Sequence, residues 1–144
     1  MNMQLIEEAL AEIRAGYRKQ NMGRKLGYGK SPIVLVIDFQ KCLADPTRDC
    51  GSDMSYEINN TRVLLNKARE KGIPILYTVT GYDADCFDGG LWTQKVPAVG
   101  EWKVGSKDLE LVDELNWQEG EKIIVKKYCS SFLATGLASF LTAK

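Results

Sequence analysis

The sequence has 144 residues, 44% of them hydrophobic, and its 19 basic and 19 acidic side chains leave no net charge at neutral pH. That length bounds the chain at one domain with a sizeable core, and the charge balance excludes the basic footprint of a nucleic-acid binder or an anionic-membrane protein. No apolar run approaches the roughly 20 residues that span a membrane, and the absence of histidine excludes Ser-His-Asp and Cys-His mechanisms within the chain.

The N-terminus, MNMQLIEEALAEIRAGYRKQ, is charged by Glu7 and has no signal-type apolar stretch, so a cytoplasmic protein is expected. Leu5, Ile6, Leu10, Ile13 and Tyr17 recur at helical spacing and predict an amphipathic helix over 3–17, an arm suited to packing on a neighbour or on the domain's flank. NMGRKLGYGKSP is a Gly-rich connector. Its glycines precede a strand, and no G-K-[ST] follows, so it is no phosphate loop. Ile33–Ile37 is an unbroken apolar run and predicts a parallel strand covered on both faces. LADPTRDCGSD is loop. Residues 56–71 predict a helix with Ile58, Thr61, Leu65 and Ala68 on one face, ended by Gly72.

IPILYTVT (73–80) predicts a second buried strand, completing a βαβ unit. The long segment 81–108 reads as a functional loop, 107–116 as a short helix, and KIIVKKY (122–128) as a third strand. SSFLATGLASFLTAK predicts a Ser-capped helix with Leu133, Leu137, Phe140 and Leu141 on one face. Strands alternating with helices imply a three-layer α/β/α fold with a parallel, doubly wound, Rossmann-like sheet. Three strands and a last helix with no strand after it read as a single domain truncated at its C-terminus, with residues 1–28 as helical arm and connector.

Ligands bind such sheets at the carboxyl ends of the strands. Asp38 ends the first strand and Lys126 and Lys127 end the third, so an aspartate and a lysine converge at one edge. Such a pair is either a structural salt bridge or a device that stabilises a thiolate and accepts its proton. Cys42, Cys50, Cys86 and Cys129 show no C-x-x-C spacing, so neither a metal site nor a cofactor is expected. Cys42 and Cys50 sit close enough to close a small loop, but free thiols fit a reducing compartment better.

The segments GYGKSPIVLVIDFQ, YTVTGYDADCFDGGLWTQKVPAV and IIVKKYCSSFLATGL resemble the isochorismatase-like cysteine hydrolases, and among them the N-carbamoylsarcosine amidohydrolase branch. The aspartate after the first strand and the K-x-x-x-S-x-F pattern are general to the superfamily. The D-G-G-L-W-x-x-K-V-P-A loop is narrower. The resemblance implies a Cys-Lys-Asp triad that cleaves a C–N bond of a small amide or carbamoyl substrate without a cofactor. Asp38 matches the family's aspartate and Lys126 its lysine; Lys127 is then a solvated neighbour. Phe39, Gln40, Trp92 and Lys95 are substrate-pocket candidates, with core packing as the alternative for Phe39 and packing of the loop on the sheet for Trp92; Tyr128 and Phe132 are packing residues, and NKAREK is a solvated face. The family's nucleophilic cysteine lies one strand further on, beyond Lys144, so the chain by itself is expected to be inactive. Cys129, just ahead of a predicted helix, is the tempting stand-in. Homo-oligomers, dimers or tetramers, are common in the family and would suit the N-terminal arm. Ureidoacrylate and maleamate hydrolases are the nearby alternatives. A reading of another class is a non-catalytic remnant that binds a partner through an uncovered sheet edge.

Overall fold

The structure, a computed structural model, describes residues 3–23, 25, 27 and 29–143. It divides into two compact units, residues 1–30 and 31–144. The first holds helix α1 (Met3–Lys19), which ends on Arg18 and Lys19, cations that complement the negative pole of the helix. None of its residues is buried. Arg24, Leu26 and Tyr28 of the connector lie outside the described residues.

The second unit is built on three parallel strands, β1 (Val34–Ile37), β2 (Ile75–Thr80) and β3 (Lys122–Lys126), in the order β1-β2-β3. The register sets Val36 beside Tyr77, and Tyr77 beside Ile123. All six residues of central β2 are buried, as its unbroken apolar-and-threonine run requires. The crossover from β1 to β2 carries α2 (Lys41–Ala44) and α3 (Ser55–Glu70). Ile58, Leu65 and Ala68 of α3, at helical spacing, are buried with Val36, Ile75, Tyr77, Val79 and Leu115. Leu65 is fully buried, a contribution of about 2 kcal/mol. Beyond Lys71, Gly72 takes φ +63, and the N–H groups of Gly72 and Ile73 reach back to the carbonyls of Arg69 and Ala68. That is the left-handed stop the glycine was expected to supply.

Four expectations are corrected. β1 is not covered on both faces: Val36 is 4% exposed but Ile37 is 50% exposed, because β1 is an edge among the described strands. Residues 107–116 are not one helix but two 3₁₀ turns, Lys107–Leu109 and Asp113–Leu115. Leu111 between them forms an antiparallel bridge with Gln40, and this tertiary pairing holds the backbone extended where a helix would otherwise continue. The last helix, α5, spans only Leu137–Thr142. Ala134 at φ +55 interrupts the chain before it, Leu133 is exposed, and Thr135 Oγ1, not a serine, accepts the Leu137 N–H at 3.1 Å. Finally, Arg69 of the NKAREK face is not solvated. Its guanidinium folds inward onto Glu121, and the side chain is 13% exposed. Among the described residues no helix is long and apolar enough to cross a membrane.

Candidate active site

Parallel strands present their carboxyl ends on one edge, and here three consecutive strand ends meet. Asp38 is the first residue beyond β1, and its N–H donates to Thr78 O at 2.9 Å, one step past the ladder. Its φ of +62 is the left-handed conformation, which aspartate tolerates better than most residues. Thr80 and Lys126, the last residues of β2 and β3, are register partners.

Lys126 Nζ lies 3.1 Å from Asp38 Oδ2 and donates to Thr80 Oγ1 at 2.8 Å. The Thr80 hydroxyl makes a long hydrogen bond, 3.4 Å, to Asp38 Oδ1. The lysine side chain is 3% exposed and the aspartate side chain 32%. A buried ammonium is thus held by one carboxylate and one hydroxyl, and that carboxylate still reaches solvent. Above the trio lies a cleft of about 240 Å³, walled by Leu43, Val99 and Trp102 on its apolar side. Trp92, Tyr128 and Cys129 complete the lining.

Gln40 is fully buried two residues beyond Asp38. Its Oε1 accepts the Thr80 N–H at 2.6 Å, and its Nε2 donates to Thr80 O at 3.0 Å and to Cys42 Sγ at 3.1 Å. The side-chain amide therefore grips both backbone groups of Thr80 and fixes the hydroxyl that bridges Lys126 and Asp38. Gln40 does not line the cleft, since both ends of its amide are used on Thr80. Nor does Phe39, half-buried against the core, whose carbonyl accepts from Val112 N–H at 3.1 Å. Lys95 is exposed at the end of α4 (Gly90–Lys95) and also lies outside the lining, whereas Trp92 on the same helix, 37% exposed, is within it.

Lys127 is not the solvated neighbour of the expectation. Its ammonium pairs with Asp83 Oδ1 at 3.2 Å and with Asp88, and its side chain is 25% exposed. Burial pulls its pKa down, but the hydrogen bonds to Asp88 and Asp83 prevail and raise it. Asp88 in turn accepts the Asp83 N–H at 3.1 Å, so this lysine pins the start of the long loop. Successive strand-end lysines thus do different work: Lys126 turns into the cleft and Lys127 onto the loop. Tyr128 is 42% exposed in the cleft lining and Phe132 58% exposed, so neither is a core packing residue.

Thr80 escaped the sequence reading although the signal was present, since it ends a buried strand as Asp38 and Lys126 do. Val99 and Trp102 gave no such signal; they reach the cleft through the fold of the long loop. All four cysteines are free thiols. Cys42 is buried, and burial pushes its thiol pKa up against the hydrogen bond from Gln40. Among the described residues no group of three or more His, Cys, Asp or Glu side chains is placed to hold a metal ion.

Similar proteins carry the same framework. A cysteine hydrolase from Pseudomonas syringae pv. phaseolicola superposes with a TM-score of 0.73 at 24% identity, over 85% of this chain and 60% of that one. The chain is 30% identical over 124 residues to maleamate amidohydrolase of Pseudomonas putida, covering 85% of this chain and 58% of the relative. It is also 30% identical over 145 residues to N-carbamoylsarcosine amidase of an Arthrobacter species, covering 96% of this chain and 54% of the relative. The chain therefore spans little more than half the length of these curated relatives. The isochorismatase domain model matches residues 32–144, which include all three strand ends that meet in the cleft, and the chain belongs to the isochorismatase family.

Proposed function

We propose that Asp38 and Lys126 are the acid–base and charge-stabilising members of a Cys-Lys-Asp site that hydrolyses the C–N bond of a small carbamoyl or amide acid. The observation that carries this reading is the 3.1 Å contact between a buried lysine and a carboxylate that opens onto a cleft. The Asp38 carboxylate takes the proton of the attacking thiol while the Lys126 ammonium stabilises the thiolate. Sulfur adds to the amide carbon, and the tetrahedral intermediate expels ammonia or an amine that takes its proton from Asp38. Water, deprotonated by Asp38, then cleaves the acyl-thioester and releases the acid. The apolar walls, Val99 and Trp102, suit a short carbon chain beside the reacting amide. The relatives named for maleamate and N-carbamoylsarcosine set the substrate class to be tried first. In this reading the nucleophilic thiol is supplied by polypeptide outside residues 3–143, the working protein is a cytoplasmic homo-oligomer, and the apolar stripe of α1 serves its assembly.

A second reading is favoured by one observation, that Cys129 lines the same cleft as Asp38 and Lys126. The two separate cleanly in the protein as its source produces it. Ammonia release from maleamate and N-carbamoylsarcosine should survive Cys129→Ala and be lost in Asp38→Asn and in Lys126→Met. Activity lost in Cys129→Ala, with folding intact, transfers the nucleophile to Cys129. Activity retained in Asp38→Asn or Lys126→Met removes the proposal.

A further inference from the structure

Away from the Asp38–Lys126 pair, the long loop brings together a second thiol and a second amine. Cys86 Sγ lies 2.6 Å from Lys103 Nζ and donates to Gly100 O at 3.1 Å. Both side chains are half-buried. Their backbones are held independently of that contact. Cys86 stands at φ +57, its N–H donating to Asp83 O and its carbonyl accepting from Gly89 N–H, each at 3.0 Å. Lys103 forms a parallel bridge with Tyr82. On its two sides Tyr82 N–H donates to Trp102 O at 2.8 Å, and Val104 N–H donates to Tyr82 O at 2.9 Å. Among the described residues Lys103 pairs with no carboxylate; the thiol is the partner its ammonium finds.

We infer that Cys86 and Lys103 form a redox-sensitive modification site in which peroxide joins sulfur and nitrogen through a single oxygen atom. Neither residue belongs to the hydrolytic machinery proposed above, so this inference does not depend on that reading. In the first step Cys86 sulfur attacks hydrogen peroxide: an S–O bond forms, the O–O bond breaks, and water leaves, giving a sulfenic acid. In the second step the sulfenic O–H and one Lys103 N–H are lost as an N–O bond forms. A second peroxide accepts those two electrons and two protons and becomes two waters. The product holds one oxygen more and two hydrogens fewer than the starting pair. Because sulfur and nitrogen are already in contact, one atom spans them without moving either backbone segment. Two equivalents of a dithiol supply the four electrons and four protons that restore the thiol and the amine and release the bridging oxygen as water. The Gly100–Lys103 segment follows Val99 and contains Trp102, both of the cleft wall, so the bridge staples that wall to the start of the loop.

The test is peptide mapping by mass spectrometry of the intact protein after treatment with hydrogen peroxide, with and without dithiothreitol. The expected result is a cross-linked peptide pair joining Cys86 to Lys103, carrying one added oxygen and two fewer hydrogens, and lost on reduction. Lys103→Arg keeps the cation but should abolish the cross-link and leave Cys86 as a sulfenic acid that dimedone captures. Cys86→Ser should abolish both. Oxidation of Cys86 to sulfinic acid with no cross-link overturns the inference. So does an undiminished cross-link in Lys103→Arg, or preferential oxidation of exposed Cys50 and Cys129 while Cys86 stays reduced.

Discussion

The sheet carries two trios of the same chemical composition, each a cation, a hydroxyl and a carboxylate. At the carboxyl ends of the strands stand Lys126, Thr80 and Asp38; near the opposite end stand Arg69, Tyr77 and Glu121. The second is closed. Glu121 Oε1 accepts from Arg69 Nε at 2.7 Å, and its Oε2 accepts from Arg69 Nη2, the Tyr77 hydroxyl and the Gln118 N–H at 2.9–3.1 Å. Acid and base are 11% and 13% exposed. In the first, Asp38 has one lysine contact and one long hydroxyl bond, stands at positive φ, and is 32% exposed toward a cleft. A bidentate arginine that does not titrate suits a permanent brace, whereas a lysine beside an under-bonded carboxylate leaves capacity for a ligand and for proton transfer. The difference between the two trios is the reason to assign structure to one and to propose chemistry for the other.

The sharpest way to break that comparison is to damage the brace. Glu121→Gln strands a largely buried arginine, and we expect a loss of about 3 kcal/mol in urea unfolding, with the cleft chemistry otherwise preserved. A loss below about 1 kcal/mol would mean the brace is not structural. Gln40→Ala should cost roughly 1–3 kcal/mol, because the buried N–H and C=O of Thr80 lose their partners. It should also lower turnover through the misplaced hydroxyl, which Thr80→Val tests separately.

Acid titration sharpens the comparison further. Burial pushes the Glu121 carboxyl up, but the hydrogen bonds from Arg69, Gln118 N–H and Tyr77 prevail and hold its pKa below the ordinary 4.5. A depressed carboxylate stabilises the fold fully above pH 4.5, and that stabilisation is lost as pH falls through the lower folded value. Urea midpoints should therefore fall below pH 4.5 in the natural protein and fall less steeply in Glu121→Gln. The smallest effect belongs to Lys127→Met. Its pair with Asp88 is part-buried and that with Asp83 more exposed, so a loss of up to about 1 kcal/mol is expected. Faster hydrogen exchange at the Asp83 and Cys86 amides should accompany it.

How far the sequence was legible follows from how local each signal is. The parallel α/β order, the α3 face of Ile58, Leu65 and Ala68, and the Gly72 stop follow from short-range periodicity and backbone conformation. The meeting of Asp38 and Lys126 followed from one rule, that parallel strands deliver their carboxyl ends to the same edge. The roles of Gln40, Lys127 and Arg69 were illegible because each depends on a partner 40 or more residues away: Thr80, Asp83 and Glu121 respectively. The Lys107–Asn116 stretch was misread for the same reason, since the bridge from Leu111 to Gln40 overrides a weak helical preference. Lys95 and Trp92 lie three residues apart on one short helix, and only the folded loop decides which faces the cleft.

The most direct test of the central claim is ammonia release from maleamate and N-carbamoylsarcosine by the protein as its source produces it, beside its Asp38→Asn and Lys126→Met variants. The account predicts turnover in the natural protein and a fall of roughly 10²–10⁴-fold or more in each variant, with urea midpoints showing that both remain folded. Near-natural turnover in either variant would contradict it, and would return the Asp38–Lys126 pair to the standing of a second structural brace.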